Sequence, residues 1–358
     1  MMDTRPLLTP GQMLLGRYRV VRALGEGGMG TVYLAQHVAL EMPVAIKLIA
    51  AAPNSSRWSV LHARFVREAR TLGRLRSEYV CRVLDFGTLE GGEPFVVLEF
   101  LQGEPLSYLA QTEKLERETV VDFVAQSIAG LAEAHRCGLV HRDIKPSNLF
   151  VAAVQGARRQ AKVIDFGLVR GPAQGEGGLG LGATVTRGEG LLGTPEFVSP
   201  EQADSPHDVD ERTDVWSLGA CLFWLLTKEL PFEGATRLAL LASIVNDPPR
   251  MWLFEGTSVP SALRDAVAQS LAKKAADRPP SVAAFGDMLE PFCSLEGARA
   301  LNIARETLRL PASASDGVAT ERIPALTAAP ETVSLDYAKG SLRSNDAREF
   351  PIPKIQKS

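Results

Sequence analysis

The first hundred residues carry the alternation of apolar and polar positions that is typical of a sheet with one helix. From Tyr18 to Leu48, β-branched, aromatic and aliphatic residues recur around turns, which predicts strands. From Arg57 to Arg76, apolar residues recur at helical spacing among Arg and Glu, which predicts a helix. Two more strands are predicted at Val80–Leu84 and Phe95–Glu99. This first block is therefore a sheet with one main helix.

After Gly103 the pattern changes to the longer period of amphipathic helices. Helices are predicted at Thr119–Arg136, Thr213–Thr227, Leu238–Val245, Ser261–Lys273 and Ser281–Phe292. From Gly297 onward, a helical start at Ala298–Leu308 gives way to prolines among Ala, Ser and Thr. That composition indicates a tail that is mostly disordered.

Composition narrows the class of protein. The chain has 358 residues and is 45% hydrophobic, which is ordinary for a soluble globular protein. Because its formal net charge is -3, nucleic acid is not an expected partner. Its four cysteines form no metal-binding pattern and are expected to be reduced thiols. The start of the chain does not resemble a signal peptide, and the apolar run Ala220–Leu226 is too short to span a bilayer. These features predict a cytoplasmic protein without a membrane span.

The most informative segment is His141-Arg142-Asp143-Ile144-Lys145-Pro146-Ser147-Asn148. Asp165-Phe166-Gly167 begins seventeen positions after Asn148. Together they supply a candidate base, an amide and a carboxylate. Phosphoryl transfer depends on positioning and charge neutralisation by such groups. A second Asp-Phe-Gly, at residues 85–87, lacks the longer motif before it. We interpret Asp85 as the end of a strand, with no metal role.

Two further motifs come earlier in the chain. Gly25–Val32 fits the pattern G-x-G-x-x-G-x-V, whose backbone amides can approach phosphates. A dinucleotide-binding turn is the alternative, but it requires a helix next, whereas Thr31–Ala35 predicts a second strand. Lys47 ends the strand Val44-Ala45-Ile46-Lys47 and needs a counter-charge. The candidate is Glu68, on the predicted sheet-facing side of the next helix, with Glu41 and Glu78 as weaker alternatives.

In this order the motifs resemble those of a bacterial-type (Hanks-type) serine/threonine protein kinase. The resemblance implies an α+β, bilobal fold within residues 18–292: a small β-rich N-lobe with one main helix (18–101) and a larger, mostly α-helical C-lobe (104–292). Residues 1–17 would be an N-terminal extension and residues 297–358 a C-terminal tail. Lys145, two residues after Asp143, is typical of serine/threonine kinases rather than tyrosine kinases.

The resemblance also implies roles for single residues. Asp143 would accept the proton of the substrate hydroxyl, Lys145 would contact the transferred phosphate, and Asn148 and Asp165 would bind magnesium. The residues implied to bind ATP come from the glycine-rich strands, the Lys47 strand, the next helix and the hinge between the lobes. They are Leu24, Gly25, Glu26, Gly27, Gly28, Met29, Gly30, Val32, Ala45, Lys47, Glu68, Leu98, Glu99 and Leu101.

Regulation and architecture are implied in the same way. Arg142 implies that a phosphate on the activation loop orders that loop, with Thr184 and Thr186 as candidate phosphosites and plain polar loop residues as the alternative. His141 would brace the catalytic loop, Thr194 would bond near Asp143 and Lys145, and Asp214 would hold the loop backbone. Glu201 would pair with Arg278 in a buried salt bridge.

The implied activity is transfer of the ATP γ-phosphate to Ser or Thr of protein substrates, with Mg²⁺ or Mn²⁺. Autophosphorylation on the activation loop would take place in trans within a kinase dimer. The alternative is a catalytically weak pseudokinase that acts as a nucleotide-binding scaffold. Loss of the catalytic Lys, Asp or Asn would mark that alternative, and none of the three is lost.

Overall fold

The computed structural model describes residues 8–27, 30–49, 58–154, 158–166, 195–204 and 209–310. Some of the sequence predictions lie outside these residues: Gly28 and Met29, the candidate phosphosites Thr184 and Thr186, Thr194, and the tail from residue 311 onward.

The N-lobe is built on an antiparallel sheet. Its strands are β1 (Met13–Leu14), β2 (Tyr18–Gly27), β3 (Gly30–His37), β4 (Met42–Ile49), β5 (Val83–Thr88) and β6 (Pro94–Glu99). Their spatial order is β1-β2-β3-β4-β6-β5. A hydrogen bond shows that the sheet is curled. The Tyr18 hydroxyl on β2 donates at 3.2 Å to Asp85 on β5, which is the strand at the opposite edge of the sheet.

The two faces of this sheet carry different residues, since side chains alternate along a strand. One face forms a core in which Tyr33, Ile46 and Phe95 are fully buried. On the other face, Ile49 and Val96 pack against the helix α1 (Trp58–Leu72) through its residues Phe65 and Ala69. Lys47 and Ala45 lie on this second face, two and four residues before Ile49.

The C-lobe begins with a small sheet formed by β7 (Gly103–Pro105), β8 (Leu149–Ala153) and β9 (Arg159–Val163). Its described helices are α2 (Leu106–Thr112), α3 (Arg117–Arg136), α4 (Pro200–Asp204), α5 (Arg212–Thr227), α6 (Arg237–Asn246), α7 (Ser261–Ser270), α8 (Val282–Leu289) and α9 (Leu295–Arg309). Helices α3 and α5 lie at the centre, and most of their side chains are buried. Burial on most sides is expected of α5, whose sequence is largely apolar, whereas α3 keeps charged residues at its ends and on one side.

Gly103, the first residue of β7, sits where the chain passes from one lobe to the other. Its φ of 150° is unfavourable for other residues. A Cβ atom there would lie 2.1 Å from the carbonyl oxygen of Val151 on β8. Glycine at this position therefore allows β7 to pair with β8 directly after the hinge.

The predicted α+β class is confirmed, together with its small β-rich lobe and larger helical lobe. Several boundaries differ. The strand predicted at Val80–Leu84 begins only at Val83, because Val80 forms an isolated parallel bridge with Val163 of the C-lobe. Asp85 therefore lies inside β5 and not at a strand end. The helix predicted to reach Lys273 ends at Ser270, and the one predicted to reach Phe292 ends at Leu289.

Both ends of the predicted domain need correction. Residues 1–17 are predicted to be an extension, but in the described part of it Leu8 is buried in the N-lobe core and β1 pairs with β2. At the other end, the helix predicted inside the tail is α9. Its residues Gly297, Ala300, Leu301 and Ala304 are buried. The folded unit therefore continues through Arg309, because an amphipathic helix covers apolar surface that α3 and α8 would otherwise expose.

Candidate active site

Asp143 lies at the centre of a set of short contacts on the loop between α3 and β8. Asp143 is only 6% exposed. The Lys145 ammonium lies 3.1 Å from Asp143 Oδ2, and Asn148 Nδ2 donates to the same oxygen at 3.1 Å. Asn148 Nδ2 also donates to the Asp143 carbonyl oxygen at 2.8 Å. The three predicted catalytic residues are thus brought together, and the Asp143 carboxylate is held by two donors.

The backbone of this loop is anchored by Asp214 on α5. The Asp214 carboxylate accepts hydrogen bonds of 2.9 Å from the N–H groups of His141 and Arg142. His135 Nε2 donates to it at 2.8 Å. Burial alone would raise the pKa of Asp214, but the hydrogen bonds and charge around it, mainly from His135, hold the pKa below its ordinary value. The contact predicted between Asp214 and the loop is therefore present.

A second anchor acts on the same turn. Arg142 adopts a left-handed conformation with φ 64°, which is strained for a residue other than glycine. Its N–H donates to Asp214, and its carbonyl oxygen accepts a hydrogen bond of 2.8 Å from Gln202 Nε2 on α4. The peptide groups on both sides of Arg142 are thus fixed, so the strained turn that presents Asp143 is stabilised from two helices.

His141 braces the loop from inside. Its Nε2–H donates to the Ile164 carbonyl oxygen at 2.9 Å, and its Nδ1 accepts from the Asp143 N–H at 3.2 Å. This hydrogen-bond pattern assigns a neutral tautomer. Full burial lowers the pKa of His141, which favours the same neutral form. Since both ring nitrogens are engaged by the backbone, the geometry fits the predicted bracing role and not that of a base.

Lys47 is buried on β4, and its partner in the structure is Asp165. The Lys47 ammonium lies 2.8 Å from Asp165 Oδ1. Asp165 has a φ of 59°, a second strained position at the site. The prediction that Lys47 pairs with Glu68 is not met, because the ion pair of Lys47 among the described residues is with Asp165. Glu68 does lie on α1 between Phe65 and Ala69, which face the sheet. Lys47 does not need Glu68 as a partner, because the Asp165 carboxylate at 2.8 Å already supplies the counter-charge that its buried ammonium needs.

The residues predicted to surround a nucleotide share one surface of the N-lobe. In the antiparallel register Val32 faces Lys47, and Ala45 faces Leu98. Directly paired residues point to the same side of a sheet, so these four side chains lie on the face that also carries Ile49 and Val96. Val32, Ala45 and Leu98 are only half-buried. They form an apolar surface that ends at the Lys47 ammonium.

The glycine-rich segment forms the hairpin of β2 and β3. Gly25 pairs with Val32, Glu26 with Thr31, and Gly27 with Gly30. Leu24 precedes them on β2 and is exposed. The dinucleotide-binding alternative is wrong, because it requires a helix after the glycines and the structure has a second antiparallel strand.

The hinge presents backbone groups at the edge of the same surface. The N–H of Glu99 donates to the Arg82 carbonyl oxygen at 3.0 Å, and the Glu99 carbonyl oxygen accepts from the Cys81 thiol at 3.8 Å. The Glu99 side chain is 2.8 Å from the Lys162 ammonium. The N–H and C=O of Leu101 make no hydrogen bond within the described residues. Within the described residues, those two groups therefore remain available for main-chain hydrogen bonds to a bound ligand.

The oxygen atoms of Asn148 and Asp165 suit a hard divalent cation. Both Nδ2 hydrogen bonds of Asn148 go to Asp143, which orients its amide and leaves Oδ1 for another partner. The Ile164 N–H donates to the Asn148 carbonyl oxygen at 2.9 Å, so Asp165 follows directly after a residue bound to Asn148. No group of three or more His, Cys, Asp or Glu that could hold a metal occurs among the described residues. Two oxygen ligands completed by phosphates and water are typical of magnesium sites.

The predicted salt bridge behind the site is present. Arg278 donates from Nη1 and Nη2 to the two carboxylate oxygens of Glu201, each at 2.7 Å. Its guanidinium also donates to the carbonyl oxygens of Ala272, Arg212 and Lys273. Burial would raise the pKa of Glu201, but Arg278 outweighs it and holds the pKa below the ordinary value. This bidentate pair ties α4 to the segment between α7 and α8.

Comparison with known proteins agrees with this geometry. A model of the protein kinase domain matches residues 18–286. The chain belongs to the protein kinase family. Its relatives include serine/threonine-protein kinase pkn3 of Myxococcus xanthus, which is 34% identical over 77% of this chain and 50% of that protein. Another is serine/threonine-protein kinase PknB of Mycolicibacterium smegmatis, 31% identical over 88% of this chain and 50% of that protein. Both are bacterial serine/threonine kinases, the group that the motifs predict.

The kinase fold is also found in solved structures. The Mycobacterium tuberculosis PknI kinase domain aligns with a TM-score of 0.61 and 24% identity, over 80% of this chain and 99% of that one. This likeness shows the fold alone. The chain spans about half the length of the two curated kinases named above. No helix in the described part of the kinase is long and apolar enough to cross a membrane.

Sequence reasoning missed three residues that position the kinase site. His135 reaches Asp214 from the last turn of α3, Gln202 reaches the Arg142 carbonyl, and Lys162 pairs with Glu99 at the hinge. Gln202 was visible next to Glu201 in the Ser-Pro-Glu-Gln segment, and its signal was a polar residue at the start of a helix. For His135 and Lys162 the local pattern carries no signal, since their partners lie 79 and 63 residues away.

Proposed function

We propose that this chain is the catalytic domain of a serine/threonine protein kinase that transfers the γ-phosphate of ATP to Ser or Thr hydroxyls of proteins. The observation that carries the proposal is the Asp143 carboxylate, held at 3.1 Å by both Lys145 and Asn148. Beside it, the residue before Asp165 is bound to Asn148, and Asp165 itself pairs with Lys47. The proposed base, the ammonium groups of two lysines and the two proposed metal ligands therefore support one common reaction site.

The chemical step follows from these positions. Asp143 accepts the proton of the substrate hydroxyl as the oxygen bonds to the γ-phosphorus. The bond from that phosphorus to the bridging oxygen breaks, and ADP leaves with the electron pair. Lys145, two residues from the base, stabilises charge on the transferred group, and Lys47 holds the remaining phosphates. Because the lysines are pre-positioned, they stabilise charge without reorganising.

ATP and magnesium fit the residues present. Asn148 and Asp165 would hold the ion through oxygen atoms, and when bound it would neutralise charge on the phosphates. The adenine would lie on Val32, Ala45 and Leu98, with its edge at the backbone of Glu99 and Leu101. The glycine-rich hairpin would cover the phosphates.

Regulation and partners are part of the proposal. The position of Arg142, directly before the proposed base, supports activation by a phosphate on the loop that contains Thr184 and Thr186. Trans-autophosphorylation in a kinase dimer would place it there. We also propose a cytoplasmic location, because the four cysteines are free thiols, as is typical of proteins in reducing compartments.

The test uses the two Asp-Phe-Gly copies of this chain. Asp143→Asn and Asp165→Asn should each lower incorporation of labelled γ-phosphate into a protein substrate at least about a thousandfold, since each removes a group needed in the transition state. Asp85→Asn makes the same change at a carboxylate that contacts the side chains of Arg17 and Tyr18 in the N-lobe, and should keep most of the activity. Phosphate transfer by Asp143→Asn at the wild-type rate would refute the proposal.

A further inference from the structure

A pocket of about 300 Å³ opens beside the catalytic loop, on the C-lobe side. Among the residues that line it are Lys145, Pro146, Glu196, Phe197, Trp224 and Leu230. Lys145 is also the residue whose ammonium lies 3.1 Å from Asp143. The pocket is therefore separated from the proposed base by a single side chain, and a polypeptide with its hydroxyl at Asp143 would pass over it.

The pocket has mostly apolar walls but also contains a buried carboxylate oxygen. Pro146, Phe197, Trp224 and Leu230 give it apolar walls. Glu196 Oε2 is buried and has no hydrogen-bond partner in the described part of the chain. A buried acceptor of this kind is unfavourable unless a donor reaches it. The other charged residue in the lining, Lys145, is already paired with Asp143.

We propose that this pocket selects protein substrates that carry an arginine near the phosphorylated residue, with the guanidinium donating to Glu196. The inference rests on the proposed kinase activity and adds the class of substrate. An arginine has a long apolar stem for the walls, a planar head that stacks on an aromatic ring, and donors for a carboxylate oxygen. An aliphatic side chain would fill the same volume but would leave Glu196 Oε2 unpaired.

Trp224 already has a cation beside it. The ammonium of Lys228, an exposed residue just after α5, lies 5.7 Å from the centroid of the Trp224 ring. The ring is therefore placed to interact with positive charge. Lys228 would repel a second cation, so the attraction of arginine has to come from Glu196. Substitution of Glu196 should consequently remove the preference and not merely weaken it.

The experiment is a positional scan with the wild-type chain. Serine peptides with alanine around the acceptor receive one arginine at each position in turn, and kcat/KM is measured for each. At one position arginine should raise kcat/KM at least about tenfold over alanine, as expected for one charge-assisted hydrogen bond. Citrulline, which has the same shape without the charge, should lose most of the gain at that position. This comparison needs no variant protein.

The variants Glu196→Gln and Glu90→Gln then test the residue. Glu196→Gln should reduce the arginine-to-alanine ratio to about one while leaving kcat/KM for the all-alanine peptide unchanged, which also shows that the variant folds. Glu90→Gln makes the same change in an exposed turn of the N-lobe and should keep the ratio. A preference for an apolar residue, no preference, or a ratio that survives Glu196→Gln would overturn the assignment. Peptide phosphorylation without arginine preference refutes only the pocket, whereas no phosphorylation of any peptide or protein refutes the kinase proposal.

Discussion

Two buried aspartates at the active site show how surroundings divide the work between residues of one type. Asp214 accepts two backbone N–H groups and one histidine, and its pKa is held below the ordinary value. Its oxygens are committed to the fold. Asp143 instead meets the side chains of Lys145 and Asn148, which can also act on a substrate. Asp214 is thus bound mainly to backbone groups, whereas Asp143, the proposed base, contacts side chains that are also proposed to act in phosphate transfer.

The Glu201–Arg278 pair leads to a prediction about stability. The Arg278 side chain is fully buried and donates to three carbonyl oxygens as well as to both oxygens of Glu201. Lysine keeps the charge but cannot make this planar, forked set of bonds. Arg278→Lys should therefore lower the free energy of unfolding in urea by about 3–5 kcal/mol. Arg250→Lys, whose partner Glu233 is 70% exposed, is the matched control and should cost less than about 1 kcal/mol. Equal effects would contradict the role assigned to Arg278.

The same pair predicts a pH dependence. Because the folded pKa of Glu201 lies below its ordinary value of 4.5, the stability that Glu201 contributes is fully present above that pH. It is lost as the pH falls through the lower, folded pKa. The difference in free energy of unfolding between wild type and Glu201→Gln should thus be constant down to about pH 5 and shrink below it. Urea unfolding at a series of pH values measures it. A difference that grows on acidification would show that the sign is wrong.

At the scale of elements, α9 lies beyond residues 18–286, which the protein kinase family model matches, and yet it is part of the folded core. Ser294 caps α9, and its N–H donates to Asp122 on α3 at 2.9 Å. Further along, Arg305 Nε donates to Asp287 on α8 at 2.6 Å. Between these polar ends, Leu301 packs over Gly286, where an added Cβ would be only 2.6 Å from Leu301 Cδ2. The helix is therefore fixed at both ends and in the middle.

This packing is testable with two leucines of the same helix. Leu301 is 1% exposed and Leu295 is 91% exposed. Leu301→Ala should lower the free energy of unfolding by about 2–5 kcal/mol, because it leaves a cavity between α9 and α8. Leu295→Ala should change it by no more than about 0.5 kcal/mol. If both substitutions had the same small effect, α9 would belong to the tail, as the sequence predicts.

At the scale of the whole molecule, the sequence predicts more of the chemistry than of the contacts that support it. The order of strands and helices follows from periodicity, and the nucleotide face follows from strand alternation once Lys47 is placed. The partner of Lys47 could not be predicted, since Asp165 and Glu68 both lie within plausible reach and only the three-dimensional arrangement decides between them. His135 and Gln202 act across 60 residues or more. Periodicity carries no information at that separation, and this is why His135 and Gln202, unlike Asp214 and His141, were found only in the structure.

The two Asp-Phe-Gly copies also allow a test of how the lobes are coupled. Phe166 packs against the C-lobe core and against the cluster that contains Leu72 of α1, and its ring lies 4.6 Å from that of His141. Phe166→Ala should remove a contact that connects α1 to the catalytic loop and displace the adjacent Asp165. We expect kcat to fall at least about tenfold, because small displacements of reacting groups are costly.

Phe86→Ala is the matched control, since its ring packs within the N-lobe at 6.1 Å from Phe65. It loses the same volume, and it should lower the melting temperature while kcat per folded molecule stays near the wild-type value. Steady-state kinetics, corrected for the folded fraction from thermal melts, separates the two effects. Equal losses of kcat in both variants would mean that the loop responds to any loosening of the N-lobe. A loss confined to Phe166→Ala would show that the coupling runs through this ring, because the tripeptide and the volume change are the same in both copies.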